Sequence, residues 1–261
     1  MTPVAVREGE GPVILGFPHA GTFLPDDVRG RLNETGLRLT DTDWHVDRLY
    51  EGLLPSATTV RATFHRYVID ANRPPSGESL YPGRATTDLV PLTDFDGNGI
   101  WREPPTAAEV AARRDAFHAP YHAALAAQMA RVKARWGVAI LHDCHSIRSR
   151  VPRLFDGVLP DLNIGTVDGA ACAPEIAEAA CAEADVSGFS WVANGRFRGG
   201  WCTRAYGRPA EGLHAIQMEL AQVTHLATEA PPFAYDAEKA ARLRPVLARI
   251  LARLDAFGRN R

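Results

Sequence analysis

The residues best suited to chemistry lie next to short apolar segments of the chain. His19 follows the run at 12–17, and His145 follows the run at 138–142. Such runs predict buried strands, and ligand sites in open parallel sheets form beyond the carboxyl ends of the strands. We therefore expect His19 and His145 to converge. The alternative is that each is a strand-end histidine whose hydrogen bonds are satisfied locally.

An acidic segment supplies candidate carboxylates. Residues 41–47 read DTDWHVD, so that Asp41, Asp43 and Asp47 surround an aromatic residue. Two histidines, one carboxylate and an open fourth position form the arrangement of a catalytic zinc site. The alternative is the start of a helix, where the helix dipole favours an aspartate. A helix start accounts well for one of these three aspartates, but less well for all three together.

Two segments carry groups suited to a small anionic substrate. Asn72 and Arg73 are adjacent, and such a pair can hold a carboxylate through an amide and a forked guanidinium. Residues 195–204, GRFRGGWCTR, combine a flexible backbone with cationic side chains. A surface loop and a glycine-rich turn are the competing interpretations. Arginine is common in this chain, whose lysines are only Lys133 and Lys239, so a single arginine is weak evidence.

Glu219 is a candidate general base. It lies in residues 213–220, a segment that otherwise predicts a buried strand. A carboxylate in such a strand is costly unless it is paired, protonated or functional.

His118 and His122 also have a spacing found in metal sites. Zinc ligands on a helix are often four residues apart, but here Pro120 lies between the two histidines and no Glu follows His118. We expect this pair to lie on a helix surface or in packing contacts.

The elements that must position these residues predict an α/β fold. We expect buried strands at 12–17, 58–64, 67–70, 138–142, 162–167 and 213–220. Helices are expected from a capping box at Thr106 to Gly137 (kinked or split by Pro120), at 174–184 and at 236–257. This alternation predicts a single domain over residues 1–261. Its mainly parallel or mixed central sheet would be covered by helices on both faces.

Composition excludes several classes of protein. Lys and Arg number 29 against 31 Asp and Glu, so the chain has no basic field to attract nucleic acid or anionic lipid. No apolar run approaches the ~20 residues that cross a bilayer, and the first residues lack the apolar centre of a signal peptide. The 4 cysteines form no CxxC pair. We therefore expect a cytoplasmic protein with reduced thiols.

Several motifs together resemble the N-formylglutamate amidohydrolase family. In chain order they are PHAG (18–21), DTDWHVDRLY (41–50), RYVIDANRPP (66–75), DCHSIRS (143–149), PDLNIGTVDG (160–169), GRFRGG (195–200) and HAIQMEL (214–220). Each is unspecific alone, but the ordered set is specific. The family is also similar to zinc carboxypeptidases and to acylases such as succinylglutamate desuccinylase. That similarity implies a fold of the zinc-exopeptidase or phosphorylase-hydrolase type.

The resemblance implies zinc-dependent hydrolysis of N-formyl-L-glutamate to formate and L-glutamate, a step of histidine degradation. One zinc ion per chain, or another divalent metal, would be held by His19, Asp43 and His145. The distant relatives take their second ligand from His-x-x-Glu, and this chain has Thr22 at that place. Asp43 is the expected replacement, with Asp41 as the alternative.

The resemblance also implies roles for other residues. Glu219 would be the general base, and Arg66 would stabilise the oxyanion. The substrate carboxylates are expected on a set of polar side chains: Asn72, Arg73, Arg148, Arg196 and Arg204. Beyond the small-molecule substrate we expect no nucleic-acid or membrane partner. The oligomeric state stays open, with a monomer preferred.

Two other functions fit the same residues. One is a zinc-dependent acylase or carboxypeptidase-like hydrolase acting on another N-acyl amino acid, which would use the same catalytic groups. The other is a non-catalytic amino-acid-binding protein with this fold. Glu219 argues against the second function, because binding alone needs no base in an apolar strand.

Overall fold

A seven-stranded mixed sheet forms the centre of the computed structural model, which describes residues 2–80, 83 and 86–261. The strands are β1 (Val4–Arg7), β2 (Val13–Phe17), β3 (Thr58–Ala62), β4 (Ala139–Ile147), β5 (Leu162–Gly165), β6 (Trp191–Ala193) and β7 (Leu213–Ala221). Their order is β1-β3-β2-β4-β7-β5-β6. Strands β3, β2, β4 and β7 are parallel, whereas β1 and β5 run antiparallel to β3 and β7. The carboxyl ends of the central strands therefore meet at one edge.

Helices cover both faces of the sheet. They are α1 (Asp26–Arg31), α2 (Glu34–Leu37), α3 (Val46–Tyr50), α4 (Ala107–Arg113), α5 (Ala119–Trp136), α6 (Pro174–Asp185), α7 (Trp201–Tyr206) and α8 (Ala237–Arg259). Leu15 of β2 belongs to the core that contains residues of α3, α6 and α8, and Ile14 belongs to the core that contains residues of α5. This two-sided cover confirms the predicted fold class. No helix in the described part of the chain is both long and apolar enough to span a bilayer.

The long helical region has the predicted start and end. Thr106 caps α4 in a capping box with Glu109, and Gly137 ends α5 in the left-handed conformation with φ 78°. Between α4 and α5, Arg114–His118 form a π-helical turn. Pro120 has no N–H, and its ring would clash with a carbonyl one turn earlier. The predicted split at Pro120 therefore takes the form of a wider helical turn.

The prediction of a strand at 67–70 was wrong. This segment is a turn, in which the backbone N–H of Val68 donates to the carbonyl of His65. Tyr67, Val68 and Ile69 are fully buried, which explains their apolar character without strand pairing. The segment turns the chain back toward the carboxyl edge of the sheet.

Candidate active site

Three predicted ligands meet at the carboxyl edge of the sheet. His19 follows β2, His145 lies near the end of β4, and Asp43 precedes α3. Their potential ligand atoms lie within 4.8 Å of one another. The Asp43 carboxylate Oδ2 is 3.0 Å from His145 Nδ1 and 3.7 Å from His19 Nδ1. The fold thus assembles two histidines and one carboxylate, all buried, from segments far apart in the chain.

Backbone contacts explain why these segments converge. β2 and β4 are parallel neighbours, so their carboxyl ends lie side by side. The N–H of Asp43 donates to the carbonyl of His19 at 3.1 Å, which joins the acidic segment to the end of β2. Gly21 allows close passage beside β3, because an added Cβ would lie only 2.4 Å from the backbone of Thr63.

A second carboxylate lies behind each histidine. Asp70 Oδ1 is 2.6 Å from His19 Nε2, and Asp143 Oδ1 is 3.1 Å from His145 Nε2. Each Nδ1 faces Asp43, while each Nε2 faces its own carboxylate and also a nitrogen donor, Arg66 Nη2 at 3.1 Å from His19 and Asn72 Nδ2 at 3.0 Å from His145. Carboxylate partners of this kind orient metal-binding histidines and raise their basicity.

The charges in this cluster are strongly coupled. Burial alone would lower the pKa of His145, but Asp143 and Asp43 outweigh burial and raise the pKa well above its usual value. Burial alone would raise the pKa of Asp43, but His19 and His145 outweigh it, so that the pKa falls and the carboxylate stays ionised. The same negative field would favour a divalent cation between the histidines.

Asp41 has a different environment from Asp43. Its Oδ2 accepts hydrogen bonds from the Tyr67 hydroxyl at 2.8 Å and from the Phe95 N–H at 3.0 Å. Burial raises the pKa of Asp41 to about 6. The hydrogen bonds from Tyr67 and Phe95 tie Asp41 to the surrounding loops. Asp43, in contrast, lies beside both histidines.

Arg66 lies beside the cluster with its guanidinium largely fixed. Its Nη2 is 2.8 Å from Asp70 Oδ2, and its Nη1 is 3.7 Å from Asp43 Oδ1. Burial would lower the pKa of Arg66, but Asp70 and Asp43 outweigh burial and raise it. A permanent positive charge therefore faces the space next to His19.

Glu219 lies across from His145 in the sheet, because the two residues are direct partners in the β4–β7 ladder. Gln217 Nε2 donates to Glu219 Oε2 at 3.1 Å, and Gln217 Oε1 accepts from the Gly200 N–H at 2.7 Å. Burial raises the pKa of Glu219 to about 8. A carboxyl group that exchanges its proton near neutral pH suits general acid–base chemistry.

One cavity brings most of the predicted site residues together. Those that line it are His19, Asp43, Arg66, Asn72, Arg73, His145, Arg196 and Glu219. The Arg73 Nε donates a hydrogen bond to the Thr87 carbonyl at 2.9 Å, and the Arg196 Nε donates one to the Leu154 carbonyl at 2.7 Å. The cavity therefore combines a possible metal site with three cationic side chains, those of Arg66, Arg73 and Arg196.

Arg148 and Arg204 do not line this cavity. Arg148 Nη2 is 2.9 Å from Asp96 Oδ2, and Arg204 Nε donates to the Gly199 carbonyl at 3.0 Å. The substrate roles predicted for them stay predictions, and the geometry favours Arg73 and Arg196 instead.

Asn72 is held against α7 by a close approach. Its Oδ1 accepts from the Cys202 N–H at 2.8 Å, and its Nδ2 lies 3.0 Å from His145 Nε2. Gly200 has an ordinary φ of −81°, so its glycine is needed for space. An added Cβ would lie 2.2 Å from Asn72 Nδ2.

Comparison with known proteins identifies the family of this chain. A sequence profile described as N-formylglutamate amidohydrolase matches residues 11–226, most of the chain. The chain belongs to the N-formylglutamate amidohydrolase family. It is therefore a hydrolase that acts on an amide bond, as the motifs implied.

Similar proteins of the N-formylglutamate amidohydrolase family come from several bacteria. N-formylglutamate deformylase of Pseudomonas aeruginosa is 46% identical, over 99% of this chain and 98% of its own. That of Pseudomonas putida is 43% identical, over 99% of this chain and 97% of its own. The crystal structure of N-formylglutamate amidohydrolase from Ralstonia eutropha JMP134 superposes with a TM-score of 0.83 at 27% identity, covering 100% of this chain and 99% of that one.

Several side chains that shape the site in this chain were not singled out from the sequence. They are Asp70, Asp143, Gln217, Phe95 and Thr87. A local signal existed for Asp143 and for Gln217. Each lies two residues before a candidate site residue in a strand, and residues two apart in a strand face the same side.

Proposed function

We propose that the protein hydrolyses N-formyl-L-glutamate to formate and L-glutamate with one bound zinc ion, or another divalent metal, per chain. The observation that carries this proposal is the meeting of His19, Asp43 and His145 in a cavity that also contains Glu219. The family and the names of its curated relatives supply the substrate.

The donor set fits a catalytic zinc ion. Two imidazole nitrogens and one carboxylate leave a position open, and Asp70 and Asp143 contact the Nε2 side of the two rings, whose Nδ1 atoms face Asp43. A zinc ion held there would polarise the formyl carbonyl and make the attacking water more acidic.

We assign the proton transfer to Glu219. It would take the proton from the attacking water and pass it to the leaving nitrogen of glutamate. Gln217 holds one carboxylate oxygen of Glu219 and is itself held by the Gly200 N–H, so the other oxygen can face the reacting atoms.

Arg66 would stabilise the negative charge that develops on the formyl oxygen. Its guanidinium is already ordered by Asp70, so it need not rearrange as that charge appears. Removing one such donor from other hydrolases costs roughly 3 kcal/mol of transition-state stabilisation.

The two carboxylates of the substrate would be held by the cations of the cavity. Arg73, beside Asn72, and Arg196 both line it, and their Nε groups are held by backbone carbonyls. A formyl group needs little room, so the space beyond the proposed metal site is available for glutamate. A monomer in the cytoplasm remains our expectation from the sequence.

A comparison of substrates tests this function. Initial rates of the purified protein with N-formyl-, N-acetyl- and N-succinyl-L-glutamate should differ strongly, with the formyl compound preferred and formate released. Removal of metal by a chelator should abolish turnover, and added Zn²⁺ should restore it. Preference for the acetyl or succinyl compound would instead make the protein an acylase of another specificity, and turnover of none of them would reject the proposal.

Replacement of Arg73 by alanine should raise KM for N-formylglutamate by about 10- to 100-fold. A guanidinium–carboxylate contact is strong, and its loss leaves the substrate carboxylate unpaired in a desolvated cavity. The preference over N-formylglutamine and N-formyl-leucine should also weaken. Arg150→Ala, which removes an exposed arginine, is the control. Unchanged KM and unchanged ranking of these substrates in Arg73→Ala would move the role to Arg196.

Replacement of Gly200 by alanine should raise KM by about tenfold. The new Cβ would displace the Asn72 amide, and overfilling a packed site typically costs about 1–3 kcal/mol. Gly99→Ala is a matched control, since no atom lies within 4 Å of the Cβ it would add. Steady-state kinetics on both variants measure the difference. Equal KM values would show that Asn72 can shift without loss of binding.

A further inference from the structure

Two histidines outside the cavity hold the backbone on either side of Asn72. His118 ends the π-helical turn, and His122 lies one turn later in α5. The His118 Nε2 lies 2.9 Å from the carbonyl oxygen of Arg73, and the His122 Nε2 lies 2.9 Å from that of Ala71. Two rings on one helix thus engage two carbonyls of one short segment.

The protonation state of the pair follows from its partners. A carbonyl oxygen only accepts hydrogen bonds, so each Nε2 must carry a proton and donate. The Nδ1 of His122 lies 3.0 Å from the Tyr206 hydroxyl, and the His122 and Tyr206 rings are stacked with an interplanar angle of 5°. Burial lowers the pKa of both histidines, that of His122 to about 4. Near neutral pH both rings are therefore neutral donors in one fixed tautomer.

The other side of the same segment faces the cavity. Asn72 and Arg73 line it, and the Asn72 N–H donates to Asp70 Oδ1 at 2.8 Å. Asp70 in turn contacts His19. A shift of this backbone would therefore move a proposed substrate-binding pair.

Neither a metal site nor simple packing accounts for His118 and His122 as well as their hydrogen bonds to the two carbonyls do. Both Nε2 atoms are taken by carbonyl oxygens and the His122 Nδ1 lies 3.0 Å from the Tyr206 hydroxyl, so the pair does not offer two free nitrogens to one ion. Apolar side chains could fill the same volume, but they would leave two partly buried carbonyls without these donors.

We infer that His118 and His122 are positioning residues that hold residues 71–73 in the conformation that binds the substrate carboxylate. This inference rests on the proposed function, because it assigns that segment to substrate binding. It predicts an effect on KM that does not require a change in the chemical step.

The test compares His118→Leu and His122→Leu with His118→Gln and His122→Gln. Leucine removes the donor, whereas glutamine can offer an N–H at a similar distance. Each leucine variant should raise KM for N-formylglutamate by about five- to tenfold, the loss expected for one buried hydrogen bond, with kcat and zinc content within twofold of wild type. Each glutamine variant should recover most of the loss. Hydrogen exchange of the amides of residues 71–73 should accelerate in the leucine variants only.

A matched control separates positioning from general stability. His214 is also buried, and its Nδ1 accepts from the Ala173 N–H at 3.3 Å, but it does not line the cavity. His214→Leu should lower the melting temperature without changing KM. If the His118 and His122 leucine variants change KM no more than His214→Leu does, or if glutamine gives no recovery, the inference is overturned.

Failure of the proposed function would look different. The wild-type protein would then not hydrolyse N-formylglutamate, whereas hydrogen exchange at residues 71–73 would still report whether the histidines hold the segment. Unchanged exchange in both leucine variants overturns the positioning role whatever the substrate is.

Discussion

Glu219→Gln is expected to lower kcat by about 10²–10⁴-fold while the protein stays folded and keeps its metal. Glutamine has nearly the same shape and can keep a hydrogen bond with Gln217, but it cannot accept the proton of the attacking water. Since Glu219 is absent from the cluster of His19, Asp43 and His145, metal content should not change. Steady-state assays of formate release, together with metal analysis of the same sample, measure both effects.

Glu183→Gln provides the control for this substitution. Glu183 is 8% exposed and Glu219 is 7% exposed, so the two side chains have similar accessible surface. Glu183 pairs with Arg249 and Arg253 far from the cavity, and its replacement should affect stability alone. Activity of Glu219→Gln within a few-fold of wild type would remove Glu219 from the mechanism and leave another group to move the proton.

The framework of the fold was predictable because its signals are local. Strand β2 is wholly apolar, strand β4 begins with an apolar run, and the helix at Thr106 carries its own capping box. The edge strands β1 and β6 were not predicted. Val4–Arg7 and Trp191–Ala193 are only partly buried, and they are short, so a sequence pattern carries little information about their pairing.

The carboxyl ends of the predicted strands indicated which candidate residues would lie together, and the reason is physical. Parallel neighbours bring their carboxyl ends together, so His19, His145 and Glu219 needed only the correct strands to be placed side by side. The choice of Asp43 over Asp41 as the proposed metal ligand needed information beyond the order of the strands. It depends on a backbone hydrogen bond to His19 and on a turn at residues 67–70 that supplies Tyr67 to Asp41.

The arginines could not be ranked from the sequence. Arg204 belongs to α7, which begins directly after the glycines, and its Nε is turned to the carbonyl of Gly199. The partners of His118 and His122 were equally hidden, since the carbonyls they contact are 45 and 51 residues away in the chain. Side-chain direction at such positions follows from tertiary contacts that no local pattern encodes.

His145→Ala is expected to lose the metal. The substitution removes one of the three proposed ligands and leaves Asp43 and Asp143 facing an empty space, so two buried carboxylates lose a shared partner. Changes to the groups behind a ligand commonly weaken metal binding by 10–100-fold, so loss of the ligand itself should weaken zinc binding by more than about 100-fold. Turnover should fall to background at zinc concentrations that saturate the wild type.

His142→Gln is the control on the same strand. His142 lies three residues earlier in β4 and so faces the opposite side of the sheet, where its Nε2 is 3.1 Å from the Tyr50 hydroxyl. It is as buried as His145 but does not contact the metal-binding group. Metal analysis after dialysis and competition with a chromophoric chelator should show about one equivalent of zinc in wild type and in His142→Gln, and little in His145→Ala. Full occupancy in His145→Ala would mean that His19 and Asp43 bind the ion with another partner, and the assignment of the strand-end histidine would have to be abandoned.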